Sequence, residues 1–355
     1  VRRIGVEEEL WVVHPGTRRA APRAPEVLAG TSADAELFRH QVEVQSRPAT
    51  DVADVVAELH GHRRDVLDRA AQVGLAVAAS GVVVLPSADH EVSDDDRYRD
   101  MLRRYGPVAE GGGTCGMHVH VEVADAEEGV RVLDAIAPWL PVLLAASANS
   151  PYAGGTETGY ASWRSELWSR WPSAGPTEPF GGEAGYRAAG AALVASGAAR
   201  DAGMLYFDAR LAEQQPTVEV RVCDVVTDLA DVAVLAALVR ALVDTAARGC
   251  LASPPWRTEL LRAARWRAAH DGLCGSLLHP AFPGSRPFGA AEVLRDLVDS
   301  TSRALEEAGD RALVERGVER LLAATGAVRQ RASYGRRGSL EDVVDDLVRR
   351  TAAPA

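Results

Sequence analysis

Read as a strand, GMHVHVEV (residues 116–123) sends His118, His120 and Glu122 to one face and Met117, Val119, Val121 and Val123 to the other. One face is apolar; the other carries two imidazoles and a carboxylate in a row. Three more segments share this division. IGVEEELWV places Glu7 and Glu9 opposite Val6 and Leu10. HQVEVQS places Gln41, Glu43 and Gln45 opposite Val42 and Val44, and TVEVRVCD places Glu219 and Arg221 opposite Val218, Val220 and Val222.

For one strand, a solvated polar face explains the pattern, because antiparallel sheets commonly keep one wet side. Four such faces, selectively Glu, Gln and His, ask for more. Carboxylates gathered on one surface repel each other unless cations neutralise them. Oxygen-rich donors with one or two histidines suit Mg²⁺ or Mn²⁺, whereas zinc calls for more Cys or His. Arg221, on the face of Glu219, can meet an anion held by those ions. Metal and guanidinium together suit a triphosphate and the charge that develops when a phosphoryl group is transferred.

The elements that must position these groups read as mixed strands and helices followed by helices alone. Strands are expected at Arg3–Val13, Arg39–Ser46, Ala76–Leu85, Met204–Arg210 and Thr217–Asp224, besides the histidine strand. Thr50 is placed to cap a long helix over Asp51–Val73, and Asp125–Ala148 reads as a helix with internal prolines. An acidic stretch, His90–Arg97, leads into a short helix, and residues 149–185 form a long irregular segment whose three tryptophans argue for order. From Asp228 to Arg350 helix follows helix, the last one opened by Ser339 and Asp342 in the pattern of a capping box. The expected class is α+β: a mostly antiparallel sheet with helices packed outside, in a single domain over residues 1–355. Gly111-x-Gly113-x-x-Gly116 matches a dinucleotide fingerprint in letters only, since a strand follows it where a helix is required.

The totals are those of a globular, soluble chain. Of 355 residues, 47% are hydrophobic and 25% charged, and the formal charge of −11 disfavours a nucleic-acid backbone as partner. All 39 basic residues are arginine, which excludes a Schiff-base lysine and a Walker-type lysine, so any phosphate falls to arginine, backbone N–H groups or metal. Four scattered cysteines without a C-x-x-C pair imply reduced thiols and a cytoplasmic setting. The apolar run Ile136–Ala148 reads as too short to span a bilayer, so no membrane association is expected.

The opening GVEEEL, the H-x-H strand after a CGMH turn, the segment TGYASWRSELWSRWPSAGPTEPF and the late TVEVRVCD resemble, in the same order, the carboxylate–amine ligases of the glutamate–cysteine ligase type 2 family, over roughly residues 3 to 350. The resemblance implies a glutamine-synthetase-like sheet curved into a funnel. It implies Glu7, Glu9, Glu43, His118 and Glu219 as metal ligands, Glu219 and Arg221 as catalytic, and His120, Arg164 and Arg221 as contacts to ATP or substrate. It further implies ATP with Mg²⁺ or Mn²⁺, a small carboxylate (L-glutamate) and an amine as partners, and a homodimer. Arg331, Arg336 and Arg337 form a late basic cluster that could close over phosphates but reads rather as a solvated loop. Two rival readings stand beside this one: a metal-dependent hydrolase built on His118 and His120, and a relative that binds nucleotide without catalysis.

Overall fold

A computed structural model of the chain describes residues 1–85, 91–111, 113–251 and 254–354. Its centre is a seven-stranded sheet whose paired strands all run antiparallel. The strands are β1 (Ile4–Val13), β2 (Asp34–Ala35), β3 (Gln41–Gln45), β4 (Ala76–Ala78), β5 (Gly116–Glu122), then β8 (Ala209–Leu211) and β9 (Thr217–Asp224) after a small hairpin of β6 (Tyr152–Ala153) and β7 (Thr156–Glu157). Their order is β2-β3-β1-β5-β9-β8, with β4 pairing the far end of β1. This is the α+β arrangement expected from the sequence, a mostly antiparallel sheet with helices packed against it.

The valines settle which face is covered. Val6, Leu10, Val42, Val44, Met117, Val119, Val121, Val218 and Val220 are all buried in one apolar cluster. Helix Val52–Gln72 brings Val52, Val55, Leu59 and Val66 against β1 and β3, part of a 3.6-residue buried stripe that also includes Val56, Arg63 and Ala70. Helix Leu229–Ala247 is buried almost all round and packs on β1, β5 and the surrounding helices. Glu8, which strand alternation sends to this apolar side, is completely buried. Arg63 of helix Val52–Gln72 meets it with Nε 2.8 Å and Nη2 2.6 Å from its two oxygens, and donates onward to the carbonyls of Val226 and Thr227.

Several expectations are corrected. The cap of helix Val52–Gln72 is Asp51, whose carboxylate accepts from Ala53 N, not Thr50. The strand expected to run to Leu85 stops at Ala78, because Ser80 and Gly81 leave the sheet. The Ser80 carbonyl accepts from the Trp11 indole, and Gly81 lies so close to Asp224 that a Cβ would come within 2.9 Å of its carboxylate. The strand expected at Met204–Arg210 is shortened to Ala209–Leu211, since Tyr206 and Asp208 bond to the backbone of Gly175. The apolar run that seemed short joins the preceding helix into a 22-residue segment, Ala126–Ser147, long and apolar enough to cross a membrane, but most of it is buried inside the fold. Ser339 caps the last helix as expected, while the Asp342 carboxylate turns to Arg337. His90 and Gly112 lie outside the described residues.

Candidate active site

The strand register assembles the polar row. Glu7 pairs with His118, Glu9 with Glu43, His120 with Glu219, and Arg210 of β8 with Glu219. Paired residues share a face, so five strands contribute to one surface. A bulge lies between Met117 and Val119, where β9 offers Arg221 and Val222 against His118 alone. The extra residue keeps Arg221 on the polar side and turns Cys223 back to face Met117 in the core.

Glu7 lies between the two histidines. His118 Nδ1 is 3.3 Å and His120 Nε2 3.1 Å from its oxygens. Burial opposes ionisation of Glu7, yet the hydrogen bonds from both rings hold its carboxyl far below the usual range. Glu219 is almost fully buried, and Arg221 and Arg210 overcome that burial and keep it ionised. Arg210 Nε reaches it at 2.7 Å, and Arg221 contacts its other oxygen directly. His118 is driven the other way: burial, then the Arg221 charge, pushes its pKa down to about 4, leaving a neutral ring whose Nε2 is buried without a hydrogen-bond partner, 3.9 Å from Glu9.

A second group stands beside the first. Glu9, Glu36 and Glu43 bring carboxylate oxygens within 4.8 Å of one another, as do ligand atoms of Glu7, His120 and Glu219. Burial and the neighbouring Glu36 push Glu9 up to about 8, and burial with Glu36, Glu7 and Glu9 raises Glu43 well above its ordinary value. Carboxylates so crowded are ionised together only when a cation joins them. The oxygen-rich donor set and the unpartnered neutral imidazole of His118 therefore fit hard divalent ions.

The row floors a cavity of about 230 Å³. Its other walls are Arg97, Tyr98 and Met101 from helix Asp96–Tyr105, and Trp168, Trp171 and Tyr206. The Arg221 guanidinium lies 5.8 Å from the Trp168 ring and 6.0 Å from Tyr206, so aromatic faces and Glu219 together fix its direction. Trp168 is set by an anchored loop. Asp224, at the end of β9, accepts from Asn149 N, Ser150 Oγ and Ser162 Oγ, tying both ends of residues 149–162 to the sheet.

Of the sequence candidates, Glu7, Glu9, Glu43, His118 and Arg221 line the cavity, and Glu219 and His120 complete the same face. Arg164 does not line it. It is buried beneath Gly116, its guanidinium directed at the carbonyls of Arg221 and Val222 and stacked 5.6 Å from Trp168. A Cβ on Gly116 would come within 2.3 Å of that guanidinium, which gives this glycine its reason. Glu122 points away and pairs with Arg3. Arg331, Arg336 and Arg337 lie not on a loop but on helix Gly326–Arg337, bonded to Glu157, Ser333 and Asp342. Cys115 and Cys223 are buried core residues. Sequence reasoning missed Glu36, Arg210 and the aromatic wall. Arg210 had a signal, the pairing of its strand with TVEVRVCD; Glu36 sits in irregular chain and had none.

Comparison with known proteins shows the family of the chain. The sequence profile of glutamate–cysteine ligase family 2 matches residues 3–346. A protein of Nocardioides sp. named "Putative glutamate–cysteine ligase 2-1" is 50% identical over 371 residues, covering 99% of this chain and 97% of that one. One of Streptomyces coelicolor, named "Putative glutamate–cysteine ligase 2", is 44% identical over 99% of this chain and 100% of its own length. Among solved structures, glutamate–cysteine ligase of Francisella tularensis in complex with AMP superposes with a TM-score of 0.70 at 14% identity, covering 99% of this chain and 88% of that one. The ligase PafA in its complex with the ubiquitin-like protein Pup gives 0.58 at 13% identity, covering 100% and 73%. These two share the fold; the sequence matches go further, and by them the chain belongs to glutamate–cysteine ligase family 2, and so to the ATP-dependent carboxylate–amine ligases.

Proposed function

We propose that this ligase joins a small carboxylate, L-glutamate by family likeness, to a primary amine through an acyl phosphate made from ATP. The observation that carries the reading is the convergence of Glu7, His118, Glu219 and Arg221 on one buried sheet face. A carboxylate is a poor acyl donor at neutral pH, and a phosphate leaving group removes that obstacle. Divalent ions held by Glu7, Glu9, Glu43, His118 and Glu219, with Glu36 beside them, would neutralise the repulsion between carboxylate and γ-phosphate. Arg221, whose Nε is buried without a partner, supplies a fixed donor for the charge on the transferring phosphoryl group. Arg210 holds Glu219 from the opposite side, so Glu219 keeps its place while Arg221 engages a ligand. The aromatic wall excludes water from an intermediate that water would hydrolyse.

A hydrolase would need further metal ligands from later in the chain. The two downstream histidines are engaged elsewhere, His270 with Asp271 at 2.6 Å and His279 with Asp296 at 2.8 Å, and neither lines the cavity. The test is release of ADP from MgATP with L-glutamate across a panel of amines, with mass spectrometry of each product. Amine-dependent ADP with a matching amide is expected. ATP-independent hydrolysis, or no ADP with any amine, would sink the reading.

A further inference from the structure

Among the described residues three arginines line the cavity, and they do not stand alike. Arg210 and Arg221 rise from the sheet and share Glu219, a carboxylate of the metal-binding face. Arg97 comes from another wall, on helix Asp96–Tyr105, beside Tyr98 and Met101. Its guanidinium is held fork to fork by Asp201, Nη1 contacting one oxygen and Nη2 lying 2.9 Å from the other. Asp201 does not line the cavity; with Arg200 it borders a separate groove along helix Glu183–Ala195.

This pair can exchange partners at little cost. The two side chains are 35% and 38% exposed, where an ion pair contributes little to stability. Asp201 also has a second cation, because Arg200 Nη1 lies 3.1 Å from its Oδ2, so its charge stays balanced when Arg97 leaves. Arg200 Nε in turn holds Asp100 at 2.8 Å, and Asp100 belongs to the helix that carries Arg97. The helix therefore keeps its tether to Arg200 while Arg97 changes partner. The fork that grips the two oxygens of Asp201 fits any other carboxylate equally well.

We infer that Arg97 is the contact for the α-carboxylate of an amino-acid substrate, and that Asp201 occupies its guanidinium until that carboxylate arrives. This rests on the ligase reading above and deepens it by naming the residue that selects amino acids. The need for such a residue is chemical. L-Glutamate carries a carboxylate besides the one to be phosphorylated, and an amino-acid acceptor, such as the cysteine in the names of the relatives, carries one too. Neither of these groups reacts, and each needs a cation when it leaves water. Divalent ions answer the glutamates of the sheet and the γ-phosphate, Arg221 the phosphoryl group, and Arg210 holds Glu219 in place. Arg97 is the one of the three arginines committed to no group of the cavity, and the chain has no lysine to take its part.

The experiment removes the carboxylate from the ligand and the guanidinium from the protein. L-Glutamate is compared with 4-aminobutyrate, which keeps the reacting carboxylate, and L-cysteine with cysteamine, which keeps the amine and the thiol. Dissociation constants for the full chain with Mg²⁺ and a non-hydrolysable ATP analogue are measured by calorimetry, and turnover with ATP by ADP release. In at least one pair the wild type should prefer the amino acid by about tenfold or more. Arg97→Met should bring that preference within about threefold, and Arg97→Lys, which keeps the charge and loses the fork, should fall between. Asp201→Asn should keep the preference, because it removes the competitor and leaves the guanidinium. An ion pair that only held the structure would make Arg97→Met and Asp201→Asn alike. Melting temperatures close to that of the wild type check the folding of each variant. The pair of compounds whose preference collapses identifies the substrate that Arg97 holds. No preference in the wild type, a preference that survives Arg97→Met in both pairs, or one lost equally in Asp201→Asn would each overturn the inference, as would a rise in the KM for ATP alone. Amide formation with the preference unmoved in Arg97→Met would overturn the contact and leave the ligase reading intact. Preference lost in Arg97→Met with no ADP from any amine would overturn the ligase reading while the contact stands.

Discussion

Glu7 and His118 sit directly opposite each other on neighbouring antiparallel strands, His118 Nδ1 3.3 Å from the Glu7 carboxylate, while the other imidazole nitrogen is buried and unpartnered. The carboxylate thus orients the ring and leaves Nε2 for a ligand. His120, the other contact of Glu7, has Nδ1 on Thr217 Oγ1 at 3.1 Å and Nε2 set against the Glu7 carboxylate at 3.1 Å, so neither nitrogen is directed at open space, and the ring is less buried. The two histidines should therefore differ in consequence. His118→Ala should lower kcat by about a hundredfold, and His120→Asn by about tenfold or less. Steady-state ADP release on both variants decides it; equal losses would show that the two rings do the same job.

Glu219 is fixed between Arg210 and Arg221, and its neutral isostere changes charge without changing shape. Glu219→Gln should leave the fold intact and abolish ADP formation, a loss of about 10² to 10³ in kcat if it acts on the developing charge. Circular dichroism checks the first half and ADP release the second. Wild-type turnover in this variant would remove Glu219 from the centre of the mechanism.

Much of this site was legible because strands alternate. Once VEEEL, HQVEVQS, MHVHVEV and TVEVRV are read with period two, their apolar sets must face one core, and so their polar sets must share one surface. Register was not legible: nothing in the letters pairs Glu7 with His118 in preference to His120, or places a bulge beside Arg221. Glu36 was invisible because irregular chain has no period. Arg164 is a ligand contact by family resemblance alone; in the fold Trp168 stacks on it and also borders the cavity, so Arg164 lies one layer beneath. The burial of Glu8 gives no signal, because a triple glutamate reads as polar throughout, and Arg63, 55 residues away, is what makes that burial tolerable.

The crowding of Glu9, Glu36 and Glu43 gives a prediction about ions alone. Ions that bind the folded site and not the unfolded chain stabilise by mass action, by about 2.7 kcal/mol at a hundred times Kd. Mn²⁺ or Mg²⁺ should raise the melting temperature, and EDTA should reverse the rise. Glu36→Gln should shrink the rise by weakening the ion's hold, and should itself melt no lower than wild type without ions, since it removes one of three repelling carboxylates. Scanning calorimetry with and without Mn²⁺ tests both; an ion-induced rise unchanged in Glu36→Gln would exclude Glu36 as a contributor.

The last prediction concerns the opposite face of the same strand. Glu8 and Arg63 are 0% and 1% exposed and joined by two hydrogen bonds, and Arg63 also donates to two backbone carbonyls beyond β9. Removing one partner strands a charge in the core, whereas replacing both removes the charge altogether. Glu8→Ala should therefore cost about 3–5 kcal/mol of stability, because Arg63 is left uncompensated. Glu8→Leu combined with Arg63→Met should recover part of that loss. Recovery should be incomplete, because the carbonyls of Val226 and Thr227 then lose their donor. Urea unfolding of the single and double variants measures the difference. If Glu8→Ala were as stable as wild type, the pair would hold nothing that packing does not already hold. If the double variant were the least stable of all, the bonds from Arg63 to the backbone, and not its charge balance with Glu8, would be what fixes helix Val52–Gln72 to β1.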